Sequence, residues 1–135
     1  MRRSGRAVRF LVAAMVLPLV AGCAAIAAGA IGAAAAIEYT DRGAESYVDA
    51  SISEVASATE SAFRSMGITI EERRSEPEEA EIEIKGDDGD WKVVTDIEGD
   101  RDAGRTHVEV TVSRNMVDYE KSRAEDILRA ILDRL

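Results

Sequence analysis

Three residue types in this sequence could carry chemistry: a single cysteine, a single histidine and many carboxylates. Cys23 is the only thiol, which excludes an intrachain disulfide and a zinc site built from several thiolates. His107 begins a stretch in which apolar residues alternate with polar ones, so it is predicted on the solvent-facing side of a strand. A nucleophilic serine needs a positioned base, and one outward histidine gives such a site little support. We therefore predict no catalytic residue, and no enzyme.

Cys23 stands at the end of a segment with the composition of a secretory signal. Residues 1–9 carry four arginines and no acid, and residues 10–20 are apolar but too short to span a bilayer core of about 30 Å. Val20, Ala21 and Gly22 then precede the cysteine, which resembles the bacterial lipobox, where the thiol receives diacylglycerol before cleavage. The alternative is a buried cysteine that acts as a small apolar residue. We predict a signal peptide over residues 1–22 and lipidation of Cys23.

Residues 24–37 consist only of alanine, glycine and isoleucine. As a helix this stretch would reach about 21 Å, short of a bilayer core. It is interpreted either as a spacer, since two glycines weaken any helix, or as a self-associating segment in lipid, since small residues recur every four positions. An uncleaved anchor over residues 10–37 is a further alternative, against which Pro18 and the lipobox count. The predicted organisation is a lipidated tether over residues 23–37 and a domain over residues 38–135.

The charge is distributed unevenly along the chain. Four of the 17 basic residues precede Cys23, whereas all 26 acidic residues follow it. The part after the cysteine is therefore strongly acidic, which argues against nucleic acid as a partner. It also argues against adhesion to anionic lipids through a basic patch, so a lipid anchor would have to supply the membrane affinity.

The alternating acids at the end of one predicted strand suggest calcium, because calcium takes six to eight oxygen ligands. Counting from Glu98, the position that needs glycine for the sharp turn is Ala103, and Arg101 would repel a cation. We interpret these carboxylates as turn residues and predict no metal and no cofactor. The candidates are Asp96, Glu98, Asp100 and Asp102, with Asp87, Asp88 and Asp90 in the preceding turn.

Apolar periodicity after residue 38 predicts strands and two helices. Helix 51–66 begins with a capping-box pattern, Ser51 with Glu54, and ends before Gly67. Helix 118–135 carries a stripe of large aliphatic residues. Trp91 is interpreted as a core anchor, with a platform for a ligand as the alternative. The predicted strands cover residues 43–49, 68–71, 79–85, 91–98 and 107–112.

These elements predict an α+β fold: a two-layer sandwich whose antiparallel sheet carries two helices on one face, in the order β-α-β-β-β-β-α. The lipobox, the Ala/Gly run, the capped helix ending in Met66-Gly67-Ile68 and the final strands and helix together resemble the small bacterial lipoproteins grouped as domain of unknown function 3568. That resemblance implies no catalytic or binding residues.

The sequence thus predicts a membrane-anchored envelope lipoprotein with a non-enzymatic binding or structural domain. Its expected partners are the membrane, through the lipid anchor, and another envelope component. Ala24, after the cysteine, resembles signals for the periplasmic face of an outer membrane, where the cell has one. The alternative function is a carrier or sensor that holds a small apolar ligand in a groove between the helices and the sheet.

Overall fold

The computed structural model describes residues 35–135, which form an open antiparallel sheet of six strands and two helices. The predicted α+β class and element order are confirmed, with one addition. A two-residue strand at the sheet edge precedes the others and is too short to show alternation in the sequence. The elements are β1 (Glu38–Tyr39), β2 (Gly43–Val48), α1 (Ile52–Met66), β3 (Thr69–Glu76), β4 (Glu81–Asp88), β5 (Trp91–Asp100), β6 (Arg105–Ser113) and α2 (Lys121–Leu132).

Helix α1 begins and ends where local chemistry predicts. The Ser51 side chain accepts a hydrogen bond from the Glu54 backbone, and the Glu54 carboxylate accepts one from the Ser51 backbone. This reciprocal pair satisfies donors that the first turn of a helix leaves free. Gly67 ends the helix at φ 74°, a left-handed conformation that costs glycine little.

The sheet order is β1-β2-β6-β5-β4-β3, with all neighbours antiparallel. The central strands are longer than predicted because backbone pairing continues through residues expected in turns. Asp87 and Asp88 were predicted in a turn, yet they pair with Lys92 and Trp91 at the end of β4. Strand β3 continues to Glu76, although no apolar alternation marks its second half. Exposed charges on this edge strand hinder pairing with a further chain.

Both helices pack on one face of the sheet, and their buried side chains form one cluster with the inward-facing strand residues. Phe63 of α1 packs directly on Gly86. A Cβ atom at position 86 would lie 2.8 Å from the phenylalanine ring, so α1 can pack this close to β4 only because residue 86 is glycine. Leu128 and Ile131 of α2 are fully buried. These buried side chains join the two helices to the sheet in a single core.

Helix α2 begins three residues later than predicted. Residues 118–120 instead return beside β6, where the Glu120 backbone donates a hydrogen bond to the Val112 carbonyl and Tyr119 bridges to Ser113. Neither described helix is long and apolar enough to cross a membrane.

The folded contacts extend to residues before 38. Ala35 and Ile37 are partly buried against the core, and the buried Ser46 hydroxyl donates a hydrogen bond of 3.0 Å to the Ala36 carbonyl. Cys23, the predicted signal peptide and most of the predicted tether lie outside the described residues.

These contacts predict that a fragment of residues 35–135 is more stable than one of residues 38–135. The shorter fragment leaves the Ser46 hydroxyl without its acceptor and removes the Ile37 side chain, which should lower the free energy of unfolding by about 1–3 kcal/mol. Urea unfolding of both fragments measures the difference. As a control, Ser46→Ala should cost more in the longer fragment, where the hydroxyl is bonded. Equal midpoints for the two fragments would contradict the prediction.

Candidate functional site

The face of the sheet away from the helices carries most of the polar side chains of the strands, and no described helix covers it. Burial alternates along β4, β5 and β6, so that the residues facing away from the core are partly exposed. Carboxylates predominate on this surface, which we call the acidic face. Its carboxylate residues on the four central strands include Glu45, Glu81, Glu83, Asp96, Glu98 and Glu109.

The strand register brings four of these carboxylates into one row across the sheet. Glu45 of β2 lies opposite Glu109 of β6, Glu109 lies opposite Asp96 of β5, and Asp96 lies opposite Glu83 of β4. Directly opposed residues of like charge destabilise an antiparallel pair. The row therefore costs stability that the core has to offset.

Among the described residues, lysine and arginine compensate this row at the Glu83 end, and His107 contacts Glu45 at the other end. Glu83 lies 3.1 Å from the Lys85 ammonium and 3.6 Å from the Arg74 guanidinium. Glu109 accepts a hydrogen bond of 3.1 Å from the Thr40 hydroxyl. Within residues 35–135, Asp96 has neither an ion pair nor a side-chain hydrogen bond, although it stands at the centre of the row.

Burial and the neighbouring carboxylates act together on Asp96. Partial burial, together with the charges of Glu83 and Glu109, raises the pKa of Asp96 to about 6. The pKa of Glu81, one strand away, is also raised, first by burial and then by the charge of Glu98. The acidic face therefore gains protons under mildly acidic conditions in which ordinary surface carboxylates stay ionised.

His107 lies on the predicted outer side of β6, but it is less solvated than predicted. Its side chain is 18% exposed. The imidazole Nε2 lies 2.8 Å from a Glu45 carboxylate oxygen, and the ring of Tyr47 covers it at a centroid distance of 4.8 Å. The histidine is thus a packed part of the acidic face, held between two residues of β2.

The acids proposed as calcium candidates are not gathered at one point. Asp100 accepts hydrogen bonds of 3.0 Å from the backbones of Asp102 and Ala103, which is turn chemistry. Asp87 pairs with Lys92, while Asp88 pairs with the Arg123 guanidinium of α2 at 2.8 Å. The Asp100 carboxylate therefore stabilises a turn, as predicted, whereas Asp87 and Asp88 form ion pairs.

Two groupings of carboxylates depend on the tertiary fold and are not apparent from the sequence. One is the carboxylate row. The other is formed by Glu76, Glu79 and Glu81, whose carboxylate oxygens lie within 4.8 Å of one another at the β3–β4 hairpin and are exposed or partly exposed. Alternating acids on several strands were a visible signal, but the sequence does not fix which acids face each other.

Trp91 is partly buried against the core, in agreement with the interpretation as an anchor. The Arg114 guanidinium lies over its ring, 4.5 Å from the centroid, as a cation–π contact. The ring is therefore already in contact with a side chain of the same chain.

Residues 7–133 match the family described as protein of unknown function (DUF3568). The chain belongs to this family. The match confirms the resemblance based on the capped helix, the alternating strands and the terminal helix. A search of the curated proteins finds no match to the chain.

The position of Asp96 predicts a pH-dependent stability with a definite sign. Its pKa is raised in the folded chain above the unfolded value of about 3.9, so ionised Asp96 destabilises the fold above pH 6. This penalty fades as the pH falls from 7 through 6 towards 4. Asp96→Asn should therefore raise the free energy of unfolding at pH 7.5 by about 1–2 kcal/mol, less than the full electrostatic value because the carboxylate stays partly solvated.

Urea unfolding of wild type and Asp96→Asn at pH 7.5 and pH 5 tests this, and the advantage of the variant should shrink at pH 5. Glu98→Gln is the matched control, because it removes a carboxylate of the same face that is 60% exposed. A variant advantage that does not change with pH, or one that Glu98→Gln reproduces, would contradict the assignment to Asp96.

Proposed function

We propose that this chain is a non-enzymatic envelope lipoprotein, anchored through lipid on Cys23, whose domain binds a basic protein partner through the acidic face. The observation that carries the binding role is the row from Glu45 to Glu83. Four opposed carboxylates lie on a sheet face that no described helix covers.

The anchoring part of the proposal is supported by sequence and not by geometry. A basic start, an apolar run of signal length and small residues directly before Cys23 are the features that lipoprotein processing requires. The strong acidity of the chain after Cys23 makes spontaneous adhesion to anionic lipid unfavourable, so a covalent lipid would supply the membrane affinity. The domain would then lie in the envelope on its tether.

The binding part follows from the cost of the acidic row. Each opposed pair of like charges costs of the order of 0.2–1 kcal/mol, and burial of Asp96 adds to this cost. Lysine or arginine side chains of a partner placed over Asp96 and Glu109 would relieve the repulsion. A basic protein surface fits this face, whereas nucleic acid, which carries the same sign of charge, would be repelled.

The non-enzymatic part of the proposal is supported by the surroundings of Asp96 and His107, the two residues best suited to acid–base chemistry. A carboxyl with a pKa near 6 suits acid–base chemistry, but catalysis also needs a pocket that positions a substrate. Asp96 lies on the open surface of a sheet between other carboxylates. His107, the one histidine of the chain, is held by Glu45 and covered by Tyr47.

The anchor is tested by Cys23→Ser. A hydroxyl cannot form the thioether, so the variant should take up no radiolabelled palmitate and should keep its signal peptide. Wild type should be labelled and cleaved. Ala24→Asp is the control, since it alters the neighbouring residue but keeps the thiol and should still be labelled. Labelling of Cys23→Ser, or none of wild type, would refute the lipoprotein proposal.

The acidic face is tested by chemical cross-linking in detergent-solubilised envelope. Wild type should give a defined cross-linked species that weakens between about 50 and 300 mM salt, since screening shortens the range of charge interactions. Asp96→Asn combined with Glu109→Gln should reduce the yield severalfold. Asp126→Asn combined with Asp133→Asn removes as much charge from exposed positions on α2 and at its C-cap, and should leave the yield unchanged. Equal losses in the two double variants would show that net charge, and not this face, determines binding.

A further inference from the structure

The loop between β6 and α2 presents two apolar side chains to solvent. Met116 is 91% exposed and Val117 is 85% exposed, the highest values among the large apolar residues that the structure describes. Most large aliphatic side chains of the domain are buried in the core, so this adjacent pair has no role in the packing of the fold.

Hydrogen bonds fix the loop in this arrangement. The Asn115 side-chain oxygen accepts bonds of 3.0 Å and 2.9 Å from the backbones of Val117 and Asp118. The Tyr119 hydroxyl donates to the Met116 carbonyl at 3.0 Å, and the Arg114 backbone donates to the Asp118 carbonyl at 3.0 Å. Because both ends and the tip are tied, the apolar pair is held outward and cannot fold back onto the domain without breaking these bonds.

The residues around the pair have the composition of a protein surface at the lipid–water boundary. Partly buried Trp91 and Tyr119 lie at the base of the loop, and Arg114 stacks on the tryptophan ring. Trp and Tyr are enriched at membrane interfaces, where an apolar body and a polar tip are both accommodated, and Arg can extend to the headgroups.

We propose that Met116 and Val117 insert into the interfacial region of a phospholipid bilayer and orient the domain on the membrane. The proposal rests on the lipid anchor at Cys23 proposed above. Twelve residue steps separate Cys23 from Ala35, where the described domain begins, and such a stretch reaches at most about 40 Å. That length exceeds the width of a small domain, about 30 Å, so the tether allows this loop to meet the surface.

A lipid surface suits the pair better than a protein partner does. A specific protein interface buries about 800 Å² on each side, far more than two side chains supply. A tether instead holds the loop near the bilayer at an effective concentration in the millimolar range, at which a contact of only two side chains becomes populated. Insertion of Met116 and Val117 orients the domain on the membrane, while the lipid on Cys23 supplies the membrane affinity.

The test uses the mature lipidated protein reconstituted into phosphatidylcholine vesicles. Cys23 is the only cysteine and is blocked by its thioether, so Val117→Cys provides one thiol for a nitroxide label. The label at 117 should be shielded from a water-soluble nickel chelate and accessible to oxygen. A label at Asp126→Cys, on the exposed side of α2, should stay fully accessible to the chelate. Adding Met116→Ser to the labelled protein should lower the ratio of inserted to free loop by roughly tenfold.

Vesicle flotation separates failure of this proposal from failure of the anchor. A protein that floats with the vesicles while position 117 is as accessible to the chelate as position 126 overturns the loop insertion and leaves the anchor intact. Shielding that Met116→Ser does not reduce, or that arises only when envelope proteins are added, also overturns it. A protein that does not float refutes the anchor on which the proposal rests. Circular dichroism should show native folding for every variant, since the substituted side chains are exposed.

Discussion

The packing of two helices on the apolar face of the sheet is the interaction on which the rest of this structure depends. Without the helices, that face would be exposed to water. The buried valines and isoleucines of β4, β5 and β6 occupy every second position, so a shift of register by one would turn the buried set to solvent. Helices α1 and α2 provide the cover, with Phe63 over Gly86 and with Leu128 and Ile131 buried. The position of every polar side chain on the opposite face follows from this packing.

No described helix packs on the opposite face, and the charges there are distributed unevenly. Lys85 and Lys92 lie towards the end of the sheet where β5 begins and are paired with acids there. The unpaired Asp96 and the carboxylate of Glu109 lie further along the same strands. A soluble domain needs only a mixed polar surface here. A row of opposed carboxylates goes against stability, and such local conflicts concentrate at functional sites.

The elements whose bounds depend on neighbouring residues could be predicted closely from the sequence. Those whose bounds depend on distant strands could not. The bounds of α1 followed from Ser51, Glu54 and Gly67, whose capping roles act within a few residues. The extension of β4 through Asp87 and Asp88 could not be predicted, because the pairing with β5 that overrides their turn propensity is set by strands distant in sequence. The carboxylate row could not be predicted from the sequence for the same reason, because it depends on the register of strands distant in sequence. Alternation assigns Asp96 to the outer face, but only the register places Glu83 and Glu109 beside it.

The raised pKa of Asp96 links the proposed binding role to pH. A basic side chain over this carboxyl favours its ionised form, whereas a proton removes the charge that the partner would recognise. The proton and the partner therefore compete for the same group, and thermodynamic linkage makes the effect reciprocal. Binding through this face should strengthen as the pH rises through about 6, and should release a proton when it occurs near that pH. Glu81, whose pKa is raised in the same direction, would add to the effect, because burial and the charge of Glu98 act on it as burial and Glu83 act on Asp96.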